Sequence, residues 1–137
     1  MNRSTIREYA FKLIYSNEIQ KSIEEEQIKV FLQENNITGK EQIKYINDCF
    51  YGIKENTEDI NVFISKNLKE NWTIERISKI DISILKLAIY EMLYVKLPYK
   101  VVIDEAVKLA KKYGDAKSKS FVNGILASIV KEKNIGN

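Results

Sequence analysis

The sequence predicts an all-α protein, and three observations carry that reading. The stretch from Asp81 to Tyr94 is apolar on almost every helical face, interrupted only by Ser83, Lys86 and Glu91. A helix without a polar face is wrapped by other helices. Elsewhere apolar residues recur in steps of three and four, the period of a helix buried on one side. The chain of 137 residues has one proline and five glycines, little material for the many turns of a β protein. The expected architecture is therefore a set of helices packed around a buried central one, with Asp81 as its N-cap. A membrane span is the alternative for the central stretch, but it is too short and carries Lys86 and Glu91.

The first helix is expected to open at Thr5-Ile-Arg-Glu8, a capping-box pattern. Ile6, Tyr9, Ala10, Leu13 and Ile14 then form one buried face. Arg3 and Arg7 lie at the amino end, where the helix dipole disfavours cations. A second box, Ser22 to Glu25, precedes a helix burying Ile28, Phe31 and Leu32; its acidic first turn suits the dipole. A third, Thr38 to Glu41, leads into the longest stripe: Ile43, Ile46, Phe50, Ile53, Thr57, Ile60 and Ile64. One long helix or two nearly collinear ones are expected over about 40 to 68. Gly52 and residues 55–57 mark the place of a break, and Cys49 reads as a small core residue. Trp72 reads as an anchor between two lobes or as a platform for a base. Thr73 caps a short helix bearing Ile74, Ile77 and Ile80.

After the central helix, Pro98 ends one helix and permits the next. That helix buries Val102, Ile103, Ala106, Val107, Leu109 and Ala110. Lys108, Lys111 and Lys112 gather at its carboxyl end, where the dipole alone favours them, and Gly114 reads as its C′ residue. The last helix starts within residues 115–120 and buries Phe121, Val122, Ile125, Leu126, Ile129 and Val130. Lys117 and Lys119 stand at its amino end, so a phosphate placed there meets free amides and two ammonium groups together. Gly124 within this helix costs about 1 kcal/mol against alanine; a close helix crossing would explain it. Asn123 is available to a base or to a neighbouring backbone.

Charge and chemistry narrow the function. The net charge is only +3, but it is unevenly spread. Residues 22–35 carry −3, residues 1–21 carry +2 and residues 96–119 carry +4. If the two basic segments meet in the fold, they make a patch fit for phosphates. The single cysteine excludes an internal disulfide, and the absence of histidine excludes His-based triads and His-containing zinc sites. No P-loop, GxGxxG or HExxH pattern occurs, so no cofactor is expected. With no apolar signal segment at the amino end, the expected location is the cytoplasm.

Four stretches together resemble the NusB family of transcription antitermination factors. These are Arg7 to Ser16, Asp81 to Glu91, Pro98 to Lys111 and Ser120 to Leu126, with Asp104-Glu-Ala-Val-Lys-Leu-Ala110 and Phe121-Val-Asn-Gly-Ile-Leu126 the most specific. The resemblance covers nearly the whole chain. It implies about seven helices in two lobes, roughly 1–70 and 71–137, and a protein that is not an enzyme. It implies binding to the single-stranded boxA element of ribosomal RNA leaders together with NusE, a ribosomal protein, in a complex with NusA, NusG and RNA polymerase. By resemblance, RNA contacts fall on Arg3, Arg7, Lys117, Lys119, Phe121 and Asn123. Contacts with NusE fall near Asp81, Lys86 and Glu91. Ser4, Thr5 and Ile6 stand where other members often carry basic residues. Phe121 and Tyr15 serve either the core or a base. A related helical domain precedes the catalytic domain of some ribosomal RNA cytosine methyltransferases. The chain ends at Asn137 with no Gly-rich loop, so that enzymatic reading is not expected to apply. The remaining alternative is a helical protein–protein adaptor that does not itself bind RNA.

Overall fold

The computed structural model describes residues 1–135. Seven α-helices follow one another: α1 (Arg3–Gln20), α2 (Glu25–Glu34), α3 (Lys40–Glu55), α4 (Thr57–Lys66), α5 (Lys79–Tyr90), α6 (Tyr99–Tyr113) and α7 (Ser118–Glu132). A single 3-10 turn, Ile74–Arg76, precedes α5, and a π-helical turn, Glu91–Val95, extends it. Among the described residues there is no strand.

The central helix is where the apolar run places it. All nine residues from Asp81 to Ile89 are buried, and Leu85 and Ile89 have no exposed surface. Helices α1, α3, α4, α6 and α7 all pack on α5. Fully burying one such aliphatic side chain is worth about 1.5–3 kcal/mol, so this helix is the main source of cohesion. Its N-cap is Ser78, not Asp81: the Ser78 hydroxyl accepts the Asp81 N–H at 3.1 Å. Asp81 sits one turn inside, which the sequence alone did not separate from capping.

The expected capping boxes shift in the same way. Asn2 caps α1, its side-chain oxygen accepting the Thr5 N–H at 2.8 Å. Glu24 and Gln27 form the box of α2. Gly39 starts α3 without a side-chain cap. The long stripe breaks at Asn56, where the Thr57 hydroxyl donates to the Ile53 carbonyl at 2.8 Å. Thus α3 and α4 are two helices, and Cys49 of α3 is wholly buried in the core.

Two glycines exchange roles. A Cβ on Gly52 would fall 2.2 Å from the Tyr90 ring, so the missing side chain on α3 makes room for the outer end of that ring from α5. A Cβ on Gly124 would meet nothing within 4 Å, and the residue is exposed. No close crossing occurs there. Gly114 does not end α6 in the left-handed conformation (φ −88). A side chain on it would strike Ser118 Oγ at 2.3 Å, so it lets α7 turn tightly back along α6.

Candidate nucleic-acid interface

At the amino end of α1, Arg3 is exposed and Arg7 is not. Arg7 is 5% exposed, and its Nε donates to both carboxylate oxygens of Glu91 at 2.9 Å. A terminal nitrogen lies 3.8 Å from Glu105, and the Tyr45 hydroxyl donates to Glu91 as well. The side chain expected to meet RNA is therefore engaged inside the fold in this structure. The cause lies on the central helix: Glu91 is 1% exposed, and an unpaired buried carboxylate costs several kcal/mol. Burial pushes the Glu91 carboxyl up, and Arg7 and Tyr45 work against that push. For Arg7, burial opposes the charge, but the field and hydrogen bond of Glu91 prevail and its pKa is raised. The dipole misfit of Arg7 is thus answered inside the protein.

Glu8, one residue on, holds α1 to the carboxyl end of α6. The Tyr113 hydroxyl donates to it at 2.6 Å and Lys112 Nζ at 2.9 Å. Burial pushes the Glu8 carboxyl up, but these two donors outweigh it and its pKa is lowered. Glu8 therefore takes no part in a capping box.

The amino end of α7 is also partly occupied. Asp115 Oδ1 accepts the N–H groups of Lys117 at 2.8 Å and Ser118 at 3.1 Å. The expected phosphate cradle of free amides is therefore already filled by a carboxylate. What remains is side-chain charge: Lys117 and Lys119 are exposed, and neither has an ion-pair partner among the described residues. Lys117 and Phe121, four apart, share one shoulder of α7, while Lys119 and Asn123 share the other. Phe121 is half-buried and Asn123 exposed.

Phe121 lies 6.5 Å from Trp72, the two rings tilted by 36°. Trp72 is 47% exposed, and the Arg76 guanidinium stands 5.2 Å from its ring. The pair opens onto a groove of about 530 Å³ lined also by Leu68, Gly124 and Ile125. Trp72 is thus a surface aromatic packed against α7. The signal in the sequence was its place in a polar connection, Lys69-Glu-Asn-Trp72.

The two basic ends meet opposite ends of the central helix. Arg7 is tied to Glu91 at the far end of the central column, whereas Asp81 at its start faces Ser118 and Asp115. Ten residues of helix separate Asp81 from Glu91, about 15 Å. Lys108 and Lys111, between Glu105 and the start of α7 along the chain, are exposed on α6, and Lys100 is exposed in its first turn.

The three residues assigned to a protein partner are all interior. Asp81 and Lys86 are each 8% exposed and Glu91 is 1% exposed. Lys86 Nζ is 2.8 Å from Glu18 of α1. Burial raises the Asp81 carboxyl, and its Oδ1 has no hydrogen-bond partner in the structure. For Lys86 and Glu91 the polarity marks a counter-ion inside the fold, whereas Asp81 has none among the described residues. Among the described residues no cluster of three His, Cys, Asp or Glu side chains is arranged to hold a metal. None of the described helices is long and apolar enough to cross a membrane.

The family model described as the NusB family matches residues 4–131. The chain belongs to the NusB family. It is 46% identical to the transcription antitermination protein NusB of Acetivibrio thermocellus, over 97% of this chain and 91% of that one. With the NusB of Clostridium novyi it shares 42% identity, over 96% and 99%. Among solved structures, T. maritima NusB superposes with a TM-score of 0.85 at 36% identity, covering 96% of this chain and 92% of that one. A NusB solved as "antitermination factors NusB and NusE in complex with dsRNA" matches with a TM-score of 0.86 at 29% identity, over 95% and 96%. The NusB fold seen here thus extends across the described helices.

Proposed function

We propose that this chain binds single-stranded boxA-type leader RNA of ribosomal RNA operons together with NusE and tethers it to RNA polymerase in the cytoplasm. As a NusB-family member it is a transcription antitermination protein, and a related NusB has been solved with NusE and RNA. The observation that carries the RNA reading is the exposed Trp72 against half-buried Phe121, with the unpaired Lys117 one turn before Phe121. Single strands are held by cations on phosphates and by aromatic rings on bases. Arg76 over Trp72 adds a guanidinium to the same platform. Arg3 and the α6 lysines continue the basic path, and Lys119 with Asn123 faces the other shoulder of α7.

No chemical step is needed, and the role is that of an adaptor rather than an enzyme. NusA and NusG complete the assembly. NusE meets exposed surface, since Asp81, Lys86 and Glu91 are interior.

The test is anisotropy of a labelled boxA RNA with the chain alone, with NusE and with both. Affinity that falls with salt, and falls at least tenfold in Lys117→Glu/Lys119→Glu, supports the reading. Unchanged affinity in that variant rejects the site. Binding to NusE with no RNA affinity in any combination makes the chain a protein adaptor only.

A further inference from the structure

Helix α2 joins the core through the side chains of Ile28, Leu32 and Phe31, while its backbone stands off from its neighbours. Alone among the seven, it makes little close backbone approach to another helix. Between α1 and α2 this leaves a groove of about 360 Å³. Leu13, Ile23 and Phe31 form its apolar lining, Val30 stands 48% exposed, and Glu26 and Glu34 line it too. The Gln27 amide donates to Gln20 Oε1 across the groove at 3.0 Å.

The charges have a sign and an unmet need. Segment 22–35 carries −3 in a chain of net charge +3, so acidity is concentrated here. Glu25 and Glu26 suit the amino end of α2, and Lys29 lies within 4 Å of both. Glu34 is different. It sits in the last turn, where the dipole disfavours an anion, the turn holds no cation, and Glu34 has no ion-pair partner among the described residues. A cation from outside answers both the dipole and the carboxylate.

We propose that the α1–α2 groove docks a lysine- or arginine-bearing amphipathic helix of a partner protein, its apolar stripe on Val30 and Phe31 and its cations on Glu26 and Glu34. A helix in a groove takes apolar anchors at i, i+3, i+4 and i+7, and the acidic lining selects the sign of what flanks them. The site involves none of the side chains assigned to RNA.

The experiment uses the full chain and two synthetic helical peptides with the same leucine stripe, one flanked by lysine and one by glutamate. Amide shifts in NMR and titration calorimetry are the readouts. The lysine peptide is expected to bind saturably, to move the amides of Ser16, Gln20, Gln27, Val30 and Glu34, and to lose at least tenfold in affinity against Glu26→Lys/Glu34→Lys. Both positions are exposed, so that variant stays folded, with a thermal midpoint lowered only by the lost Glu26–Lys29 contact and the first-turn dipole, whereas Val30→Asp serves as the apolar arm. Equal binding of the glutamate peptide, shifts mapping elsewhere, or full affinity in the charge variant overturns the proposal. So does a dimer in sedimentation that Val30→Asp dissociates, since a second copy would then be the occupant.

Discussion

Arg7 of α1 and Glu91 at the end of the central helix lie 84 positions apart and share two hydrogen bonds of 2.9 Å in the interior. Their bond joins α1 to the central column, and Tyr45 brings α3 to the same carboxylate. Removing one member leaves the other charged and dry. Arg7→Ala is expected to cost about 3–5 kcal/mol in urea unfolding, the usual penalty for an orphaned buried charge. Replacing the set together, as Arg7→Met, Tyr45→Phe and Glu91→Leu, is expected to recover most of that loss. If Arg7→Ala instead lowers RNA affinity without lowering stability, the side chain leaves its pocket to bind phosphate and its interior assignment here is wrong.

What the sequence made legible follows from what each signal measures. Periodicity reports burial, so the α5 core and the buried face of α7 could be read from Ile, Leu and Phe spacing, whereas the break near residues 55–57 showed only in Gly52 and the polar Glu55-Asn56-Thr57 segment, because the apolar spacing runs on through it. Polarity reports only that a side chain needs a partner, not where the partner is. Arg7, Lys86 and Glu91 were therefore assigned outward, although Glu91 and Glu18 supply their counter-ions within the fold. Pairs 68 and 84 residues apart leave no trace in any local window. The Lys117 dipole misfit was real but incomplete, because Asp115, two residues earlier, takes the amides.

Two carboxylates are expected to give pH effects of opposite sign. Burial raises Asp81 above its ordinary pKa. The folded state then holds its proton more tightly than the unfolded one, so Asp81 favours folding at low pH and that contribution is lost as pH rises through the folded value. Asp81→Asn should therefore gain stability relative to the parent as pH rises from about 4, the unfolded value. Glu8 runs the other way, since Tyr113 and Lys112 more than offset burial and lower its pKa. Its contribution is present above the unfolded value and is lost as pH falls through the folded one. Glu8→Gln should cost stability near neutrality and nothing in strong acid. Denaturant titrations of both variants over a pH series check the signs, and parallel curves for the two would reject them.

Gly52 and Gly124 separate steric need from helix propensity. Gly52→Ala drives a methyl group into the Tyr90 ring and is expected to cost about 1–3 kcal/mol, as overpacking does. Tyr90→Leu in the same chain should relieve most of that penalty. Gly124→Ala adds a methyl group to open space on an exposed helical face and is expected to stabilise by up to about 1 kcal/mol. Thermal melts of the three variants decide. A destabilised Gly124→Ala would mean that something does pack there.

Charge and stacking leave different marks on RNA binding, and they can be separated. Lys117 and Lys119 act on phosphates, so their loss should flatten the dependence of log affinity on log salt by about 0.7 for each contact removed from a single strand. Trp72 acts on a base face. Trp72→Ala should weaken binding by about 1–3 kcal/mol, the range for one stacked base, while leaving the salt slope unchanged. Trp72→Phe retains a ring and should recover part of the loss. Phe121 is half-buried against Trp72, so Phe121→Ala is expected to lower both affinity and stability, and Trp72→Ala is the cleaner probe. Anisotropy across a salt series with single-stranded boxA RNA gives both quantities at once. A Trp72→Ala protein whose affinity matches the parent at every salt concentration would show that bases do not reach this groove.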